Sequence, residues 1–285
     1  MTQAPTSSGN PKNTLGKVYL VGAGPGAVDL ITVRGAKLLG QADVVFYDAL
    51  VDPEMLTLCP QAIQIEVGKR CGKLSSAQQF INKRLVDAAQ KYQVIVRLKG
   101  GDPMLFGRAD EEIQSLKAAG IAIEVVPGMT AALAGAASIQ QSLTLRGVSR
   151  SVAFITLAQG TENVAAGQPI PNPSADTLVY YMGRKDAARI AQQLIKQSPN
   201  QNGNTPVQIL EAVSTPHERL WVSTLDQLAA GKADQWFDSS SPALIMIGEA
   251  LSNKNQSTEN LESPSAEIDN GLQDSQILSD GRRSA

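Results

Sequence analysis

Apolar and polar positions alternate along this chain in a recurring order. A short run of strand-forming residues ends at a glycine or an aspartate, and a stretch with apolar residues at helical spacing follows. The first instance is Val18-Tyr19-Leu20-Val21-Gly22-Ala23-Gly24-Pro25-Gly26-Ala27, a buried-type strand that stops at a glycine turn. Residues 29–39 carry Leu30, Ile31, Val33, Leu38 and Leu39 and predict a helix. Further strands are predicted over 42–48, 63–67, 94–98 and 121–126. Helices are predicted over 54–58, 77–90 (capped by Ser75 or Ser76) and 109–119. This alternation predicts a mainly parallel sheet with ligands at the carboxyl ends of its strands.

Beyond Pro127 the spacing tightens. A helix rich in alanine and glycine is predicted over 131–139, with strands over 151–156, 177–182, 207–213, 219–222 and 243–247. Helices over 187–197 and 225–230 lie between them, and 160–175 reads as a loop. Closely spaced strands predict antiparallel pairing. The fold class is therefore α/β, with an N-terminal domain over 15–127 and a C-terminal domain over 128–251. Residues 1–14 read as a disordered leader. Residues 252–285, rich in Ser, Asn, Gln, Glu and Asp, read as a disordered tail with too little apolar surface to offset ordering entropy.

Composition narrows the function classes. A net charge of −2 over 285 residues argues against a general nucleic-acid binder. No apolar run reaches the roughly 18 residues that a membrane span needs, and residues 1–14 lack the apolar centre of a secretory signal. A cytoplasmic protein is expected. Cys59 and Cys71 form no C-x-x-C, so neither a disulfide framework nor a thiolate metal site is expected. The single histidine, His217, lies in a polar turn and reads as an exposed loop residue. No metal site is expected.

The glycine turn supports two readings. Gly22, Gly24 and Ala27 match G-x-G-x-x-A, with Asp43 or Asp48 as the following acidic residue, which points to an NAD(P)-dependent oxidoreductase. Pro25 argues against it, because it removes an N–H from a loop that has to donate to a pyrophosphate.

Other loops decide between the two. "VYLVGAGPG", "ADVVFYDALV", "VGKR", "VRLKGGDPMLFGR", "VVPGMTA" and "SPALIMIGEAL" occur in this order, each at a strand end. In order and spacing they resemble the tetrapyrrole methylase family, and within it the uroporphyrinogen-III C-methyltransferases, over about 16–251. The resemblance implies two α/β domains with the active site in the cleft between them, a homodimer, and S-adenosyl-L-methionine as methyl donor. The expected reaction is methylation of uroporphyrinogen III at C2 and C7, giving precorrin-2 for sirohaem or cobalamin synthesis. A methylase of another precorrin or tetrapyrrole is the alternative within the family.

Carried over by position, the resemblance implies donor contacts at Pro25, Gly100, Gly101, Asp102, Leu105, Thr130, Ala131, Met182, Ala212 and Ala243. It implies Asp48 as base and Lys69 as acid. A tetrapyrrole with eight carboxylates needs local positive charge, and Arg70, Arg108 and Arg146 stand in matching motifs. The acceptor side departs from the family pattern at three histidine positions. Lys73-Leu74-Ser75 follows the G-K-R motif, Leu145 precedes Arg146-Gly147, and Thr156-Leu157-Ala158 stands where T-G-H is usual. The usual G-R-G-G-E-E reads Gly107-Arg108-Ala109-Asp110-Glu111-Glu112.

Overall fold

Strands whose two faces are both covered read as continuous apolar runs, and the first half of the chain is built from such strands. A computed structural model describes residues 15–67, 74–157 and 173–252, with the backbone alone for 74–77. The strands β1 (Lys17–Gly22), β2 (Val44–Tyr47), β3 (Ile63–Glu66), β4 (Val94–Lys99) and β5 (Ile123–Val126) form one sheet in the order β3-β2-β4-β1-β5. Every pairing in it is parallel. Alternate residues of β1 feed opposite cores. Val18 and Leu20 pack with Leu85 and Leu116, from the helices α2 (Leu74–Ala89) and α3 (Ala109–Ala118). Val21 packs with Leu39 of α1 (Val33–Leu39) and with Met55 and Cys59.

The second sheet contains β6 (Val152–Thr156), β7 (Thr177–Tyr181), β8 (Pro206–Glu211), β9 (Arg219–Thr224) and β10 (Ala243–Ile247), in the order β6-β7-β10-β8-β9. β6 and β7 are parallel, and the other three pairings are antiparallel. On one face α5 (Ala187–Gln197) buries Ala187, Ile190, Ala191 and Leu194, the i, i+3, i+4, i+7 stripe of an amphipathic helix. It packs there with α6 (Leu225–Ala229). On the other face lies α4 (Ala131–Ser138), whose Ala132, Ala134, Gly135 and Ala136 are buried. These small side chains let the helix lie close to the sheet. The described residues all fall within one compact unit.

Two local expectations are corrected. The helix predicted over 29–39 is broken: a 3-10 turn covers Val28–Leu30, and α1 starts at Val33. Thr32 causes the break, since its hydroxyl accepts the Gly35 N–H at 3.1 Å and caps α1. Helix α2 starts at Leu74, so Ser75 and Ser76 lie inside its first turn and do not precede it. Residues 1–14, most of the 160–175 loop and nearly all of the 252–285 tail lie outside the described residues.

Candidate functional site

The carboxyl ends of β1 and β4 meet because these strands are neighbours in the sheet. Their loops continue the pairing past the strands: Gly24 and Gly101 exchange both backbone hydrogen bonds, at 3.2 and 2.6 Å. A third loop, after β5, presses against them. A Cβ on Gly128 would lie 2.3 Å from the Gly101 carbonyl oxygen and 2.7 Å from Gly22 Cα, so no side chain fits there. Asp102 fastens the junction. Its Oδ2 accepts the Gly128 N–H at 2.8 Å, and its Oδ1 accepts the Met104 N–H at 2.8 Å. Both carboxylate oxygens of this expected donor contact are thus engaged in shaping the loops.

This geometry is not a dinucleotide cradle. The glycine turn opens onto a 3-10 turn of three residues, Val28–Leu30, and α1 starts only at Val33, behind its own Thr32 cap. Within the turn, both backbone groups of Gly24 are committed to Gly101, and the Ala23 N–H to the Lys99 carbonyl, instead of facing a pyrophosphate. Above Gly101 the space is open: at φ +68° a Cβ there would meet nothing within 4 Å.

The second sheet brings a further set of the expected donor contacts together. Ala243 opens β10, and Leu244 pairs with Tyr181 while Ala243 pairs with Glu211. Met182, Ala243 and Ala212 therefore stand side by side at the ends of β7, β10 and β8. Tyr181 ties this edge to α4. Its hydroxyl lies 2.6 Å from Thr130 Oγ1 and accepts the Ala132 N–H at 3.2 Å. That ties Thr130 and Ala132, at the start of α4, to Tyr181, the residue before Met182. Burial raises the Tyr181 phenol, and its bonds to Thr130 and Ala132 oppose the shift.

Contacts between these loops and the second sheet include two that involve side chains of the loops concerned. The Ala27 N–H donates to Ser214 Oγ at 3.1 Å. The Phe106 ring packs on the Tyr181 ring at 5.2 Å between centroids. Leu105, one residue earlier, closes the 102–105 turn by donating its N–H to the Asp102 carbonyl at 3.3 Å. Pro25 stands half-buried in the glycine turn. Backbone strain gathers at these loops. Among the described residues six non-glycine residues have left-handed φ, and five of them are Phe106, Arg108, Met182, Ala212 and Ser214. Each such residue costs about 1–3 kcal/mol and persists where its surroundings impose it, as at binding sites.

Asp48 lies just past β2, on the far side of β4 from the glycine turn. Its Oδ1 accepts the Leu50 N–H at 3.1 Å. Its Oδ2 lies 3.5 Å from Arg97 Nη2, with the carboxylate a quarter exposed and the arginine almost fully buried. Behind Arg97 is a charge cluster that the sequence reading missed. Glu112 Oε1 accepts from Arg97 Nε, Lys99 Nζ and Gln78 Nε2, each at 3.2 Å. Burial lowers the Lys99 ammonium pKa and neighbouring Arg97 lowers it further, against Glu112 and Asp48. The available signal was two basic residues, two apart, inside an apolar strand.

Of the expected acceptor-side residues, Arg108 is paired bidentately with Glu111, at 2.7 and 2.9 Å. Arg146 is exposed at the tip of a tight turn closed between Leu145 and Ser149. Lys69 and Arg70 lie outside the described residues. A separate hollow of about 450 Å³ between α4 and β6 is lined by Leu133, Ala136, Leu143 and Phe154 among others. Among the described residues its lining includes none of the expected site residues and no titratable side chain. Among the described residues no group of three His, Cys, Asp or Glu side chains is placed to hold a metal. No helix among them is long and apolar enough to cross a membrane.

Comparison with known proteins gives a consistent result. Residues 17–229 match the family described as Tetrapyrrole (Corrin/Porphyrin) Methylases. A siroheme synthase of Pseudomonas fluorescens (strain SBW25) is 43% identical over 247 residues, 86% of this chain and 52% of that protein. One from Zymomonas mobilis is 44% identical over 242 residues, 84% of this chain and 50% of that protein. The chain thus spans about half the length of these curated relatives. Among solved structures, the uroporphyrin-III C-methyl transferase of Thermus thermophilus, complexed with S-adenyl homocysteine, superposes with a TM-score of 0.67 at 36% identity. The match covers 82% of this chain and 93% of that one. A cobalt precorrin-4 methyltransferase superposes at 0.69 with 27% identity, over 86% of this chain and all of its own.

Proposed function

The chain belongs to the tetrapyrrole (corrin/porphyrin) methylase family, and on that premise we propose that it is an S-adenosylmethionine-dependent C-methyltransferase. Its acceptor is uroporphyrinogen III, methylated at C2 and C7 to give precorrin-2, a precursor of sirohaem and cobalamin. The observation that carries this reading is the junction of the Gly24–Gly101 pair, clamped by Asp102, with the Met182–Ala243–Ala212 edge. Small residues, an open surface above Gly101 and the flexible Met182 side chain suit a compact donor of mixed polarity. The likeness to a transferase complexed with S-adenyl homocysteine supports the same choice.

Bound there, the donor supplies an electrophilic methyl on sulfur. Pro25, Gly100, Gly101 and Leu105 form one wall for it, and Thr130, Ala131, Met182, Ala212 and Ala243 the other. Asp102 holds the loops after β4 and β5 in register. A tetrapyrrole ring that gains a methyl at carbon has to lose a proton, and Asp48 accepts it. Lys69 is carried over as the acid, and Arg70, Arg108 and Arg146 as partners for acceptor carboxylates. Orientation dominates a transfer of this kind, since well-placed partners gain roughly 7–11 kcal/mol. We read the two sheets as two domains meeting at the site, on either side of Pro127, in a cytoplasmic homodimer.

Calorimetry against S-adenosylhomocysteine and NAD⁺ tests the site. Binding of S-adenosylhomocysteine without NAD⁺ binding is expected. NAD⁺ binding without S-adenosylhomocysteine binding would return the glycine turn to its dinucleotide reading.

A further inference from the structure

Buried ions are costly unless each is paired, and the cluster beneath Asp48 is paired in an unequal way. Ile95, Arg97 and Lys99 alternate along β4 and so share one face, the one covered by α2 and α3. Arg97 is 3% exposed, Lys99 4% and Glu112 0%. Two cations thus converge on one carboxylate, through its Oε1 alone. Glu112 Oε2 has no partner among the described residues.

The guanidinium is fixed at two of its three nitrogens. Nε donates to Glu112 at 3.2 Å, and Nη1 donates to the Leu98 carbonyl at 2.9 Å. Nη2 is the remaining arm, and it faces Asp48 Oδ2 at 3.5 Å. Phe46 pairs with Arg97 in the parallel register. Asp48, two residues further along, therefore lies on the same sheet face, next to both cations. With Oδ1 held by the Leu50 N–H, the carboxylate has one oxygen on its own turn and the other turned toward a rigid buried cation. Asp48 also supplies the second negative charge that two buried cations require.

We propose that Arg97 is a positioning residue for Asp48, with Glu112 as the buried anchor that holds Arg97 in place. The inference rests on the reading of Asp48 as the proton acceptor. In this scheme Arg97 touches neither donor nor acceptor, and it acts by fixing the direction of the Asp48 carboxylate.

A double-mutant cycle on the full chain tests it, with kcat, S-adenosylhomocysteine affinity and thermal midpoint measured for each variant. Arg97→Lys is expected to lower kcat about 10- to 100-fold, the scale of a small misplacement, with donor-product affinity unchanged. In an Asp48→Asn background the same substitution is expected to cost nothing further. An equal loss in both backgrounds would mean a merely structural role and would overturn the proposal. Parent-like turnover in Asp48→Asn alone would instead remove the base assignment, and the positioning role with it. Should Arg97→Lys fail to fold, Glu112→Gln runs the same cycle, keeping the anchor's shape and removing its charge. A crystal structure with Asp48 turned away from Arg97 would also overturn the proposal, without any turnover measurement.

Discussion

Asp48 Oδ2 lies 3.5 Å from Arg97 Nη2, across the boundary between a partly exposed carboxylate and a buried guanidinium. Asp48 is therefore held from below through Oδ2 and on its own turn through Oδ1, with a quarter of its side chain still exposed. Asp48→Asn keeps the shape and removes the proton acceptor. Turnover is expected to fall by about 10²–10⁴-fold, the usual worth of general-base catalysis. S-adenosylhomocysteine affinity should not change, because the expected donor contacts lie on other loops. Paired kinetics and calorimetry check both halves of this outcome.

Gly128 is the tightest point between the loops. A Cβ there would lie 2.3 Å from a backbone oxygen that cannot move without breaking the Gly24–Gly101 pair. Gly128→Ala is expected to destabilise by about 1–3 kcal/mol, as overpacking does, and to weaken S-adenosylhomocysteine binding at least as strongly. Denaturant melts and calorimetry on the variant measure the two effects. Normal donor affinity in Gly128→Ala would show that the loop junction is not the donor site.

Tyr181 caps α4 from the second sheet through its hydroxyl. Tyr181→Phe keeps the ring packed on Phe106 and leaves the Ala132 N–H without that acceptor. The expected loss is about 0.5–2 kcal/mol, the range for removing a helix cap, together with weaker donor binding through Thr130 and Ala131. An unchanged melting temperature with unchanged affinity would contradict the cap.

The neighbouring Tyr180 makes the opposite prediction. Its ring is fully buried, and its hydroxyl has no hydrogen-bond partner among the described residues. Burial raises its pKa far above the ordinary 10.0. Below pH 10 the tyrosine is protonated in both states. Above it the unfolded chain ionises while the folded chain does not, so stability falls as pH rises. Tyr180→Phe should stabilise the protein by about 1–3 kcal/mol, the cost of an unsatisfied buried group, and should flatten the alkaline decline. Urea melts at pH 8 and above pH 10 provide the comparison.

Much of the architecture was legible in the sequence because a parallel sheet covered on both faces writes itself as apolar runs. The run in β1 and the glycines after it are one such signal, and the closer spacing after Pro127 indicated antiparallel pairing, which holds for every pairing of the second sheet except β6 with β7. The break at Thr32 was hidden because apolar residues continue on both sides of it, and only the hydroxyl cap sets the helix start. The loops of the candidate site were legible as strand-end motifs. What joins them was not. The Asp102–Gly128 clamp spans 26 positions and the Thr130–Tyr181 contact 51, and local spacing encodes neither. Glu112 illustrates the same limit. As one of two adjacent glutamates in a polar first turn it reads as a surface residue, yet it is the buried counter-charge to Arg97 and Lys99.

The proposed reaction is the transfer of methyl groups from S-adenosylmethionine to carbon atoms of uroporphyrinogen III. Incubation of the purified chain with both compounds under reducing, anaerobic conditions, followed by mass detection, tests it most directly. A tetrapyrrole carrying two added methyl groups is expected, with S-adenosylhomocysteine formed in step. S-adenosylhomocysteine binding with no methylated tetrapyrrole at any enzyme concentration would contradict it.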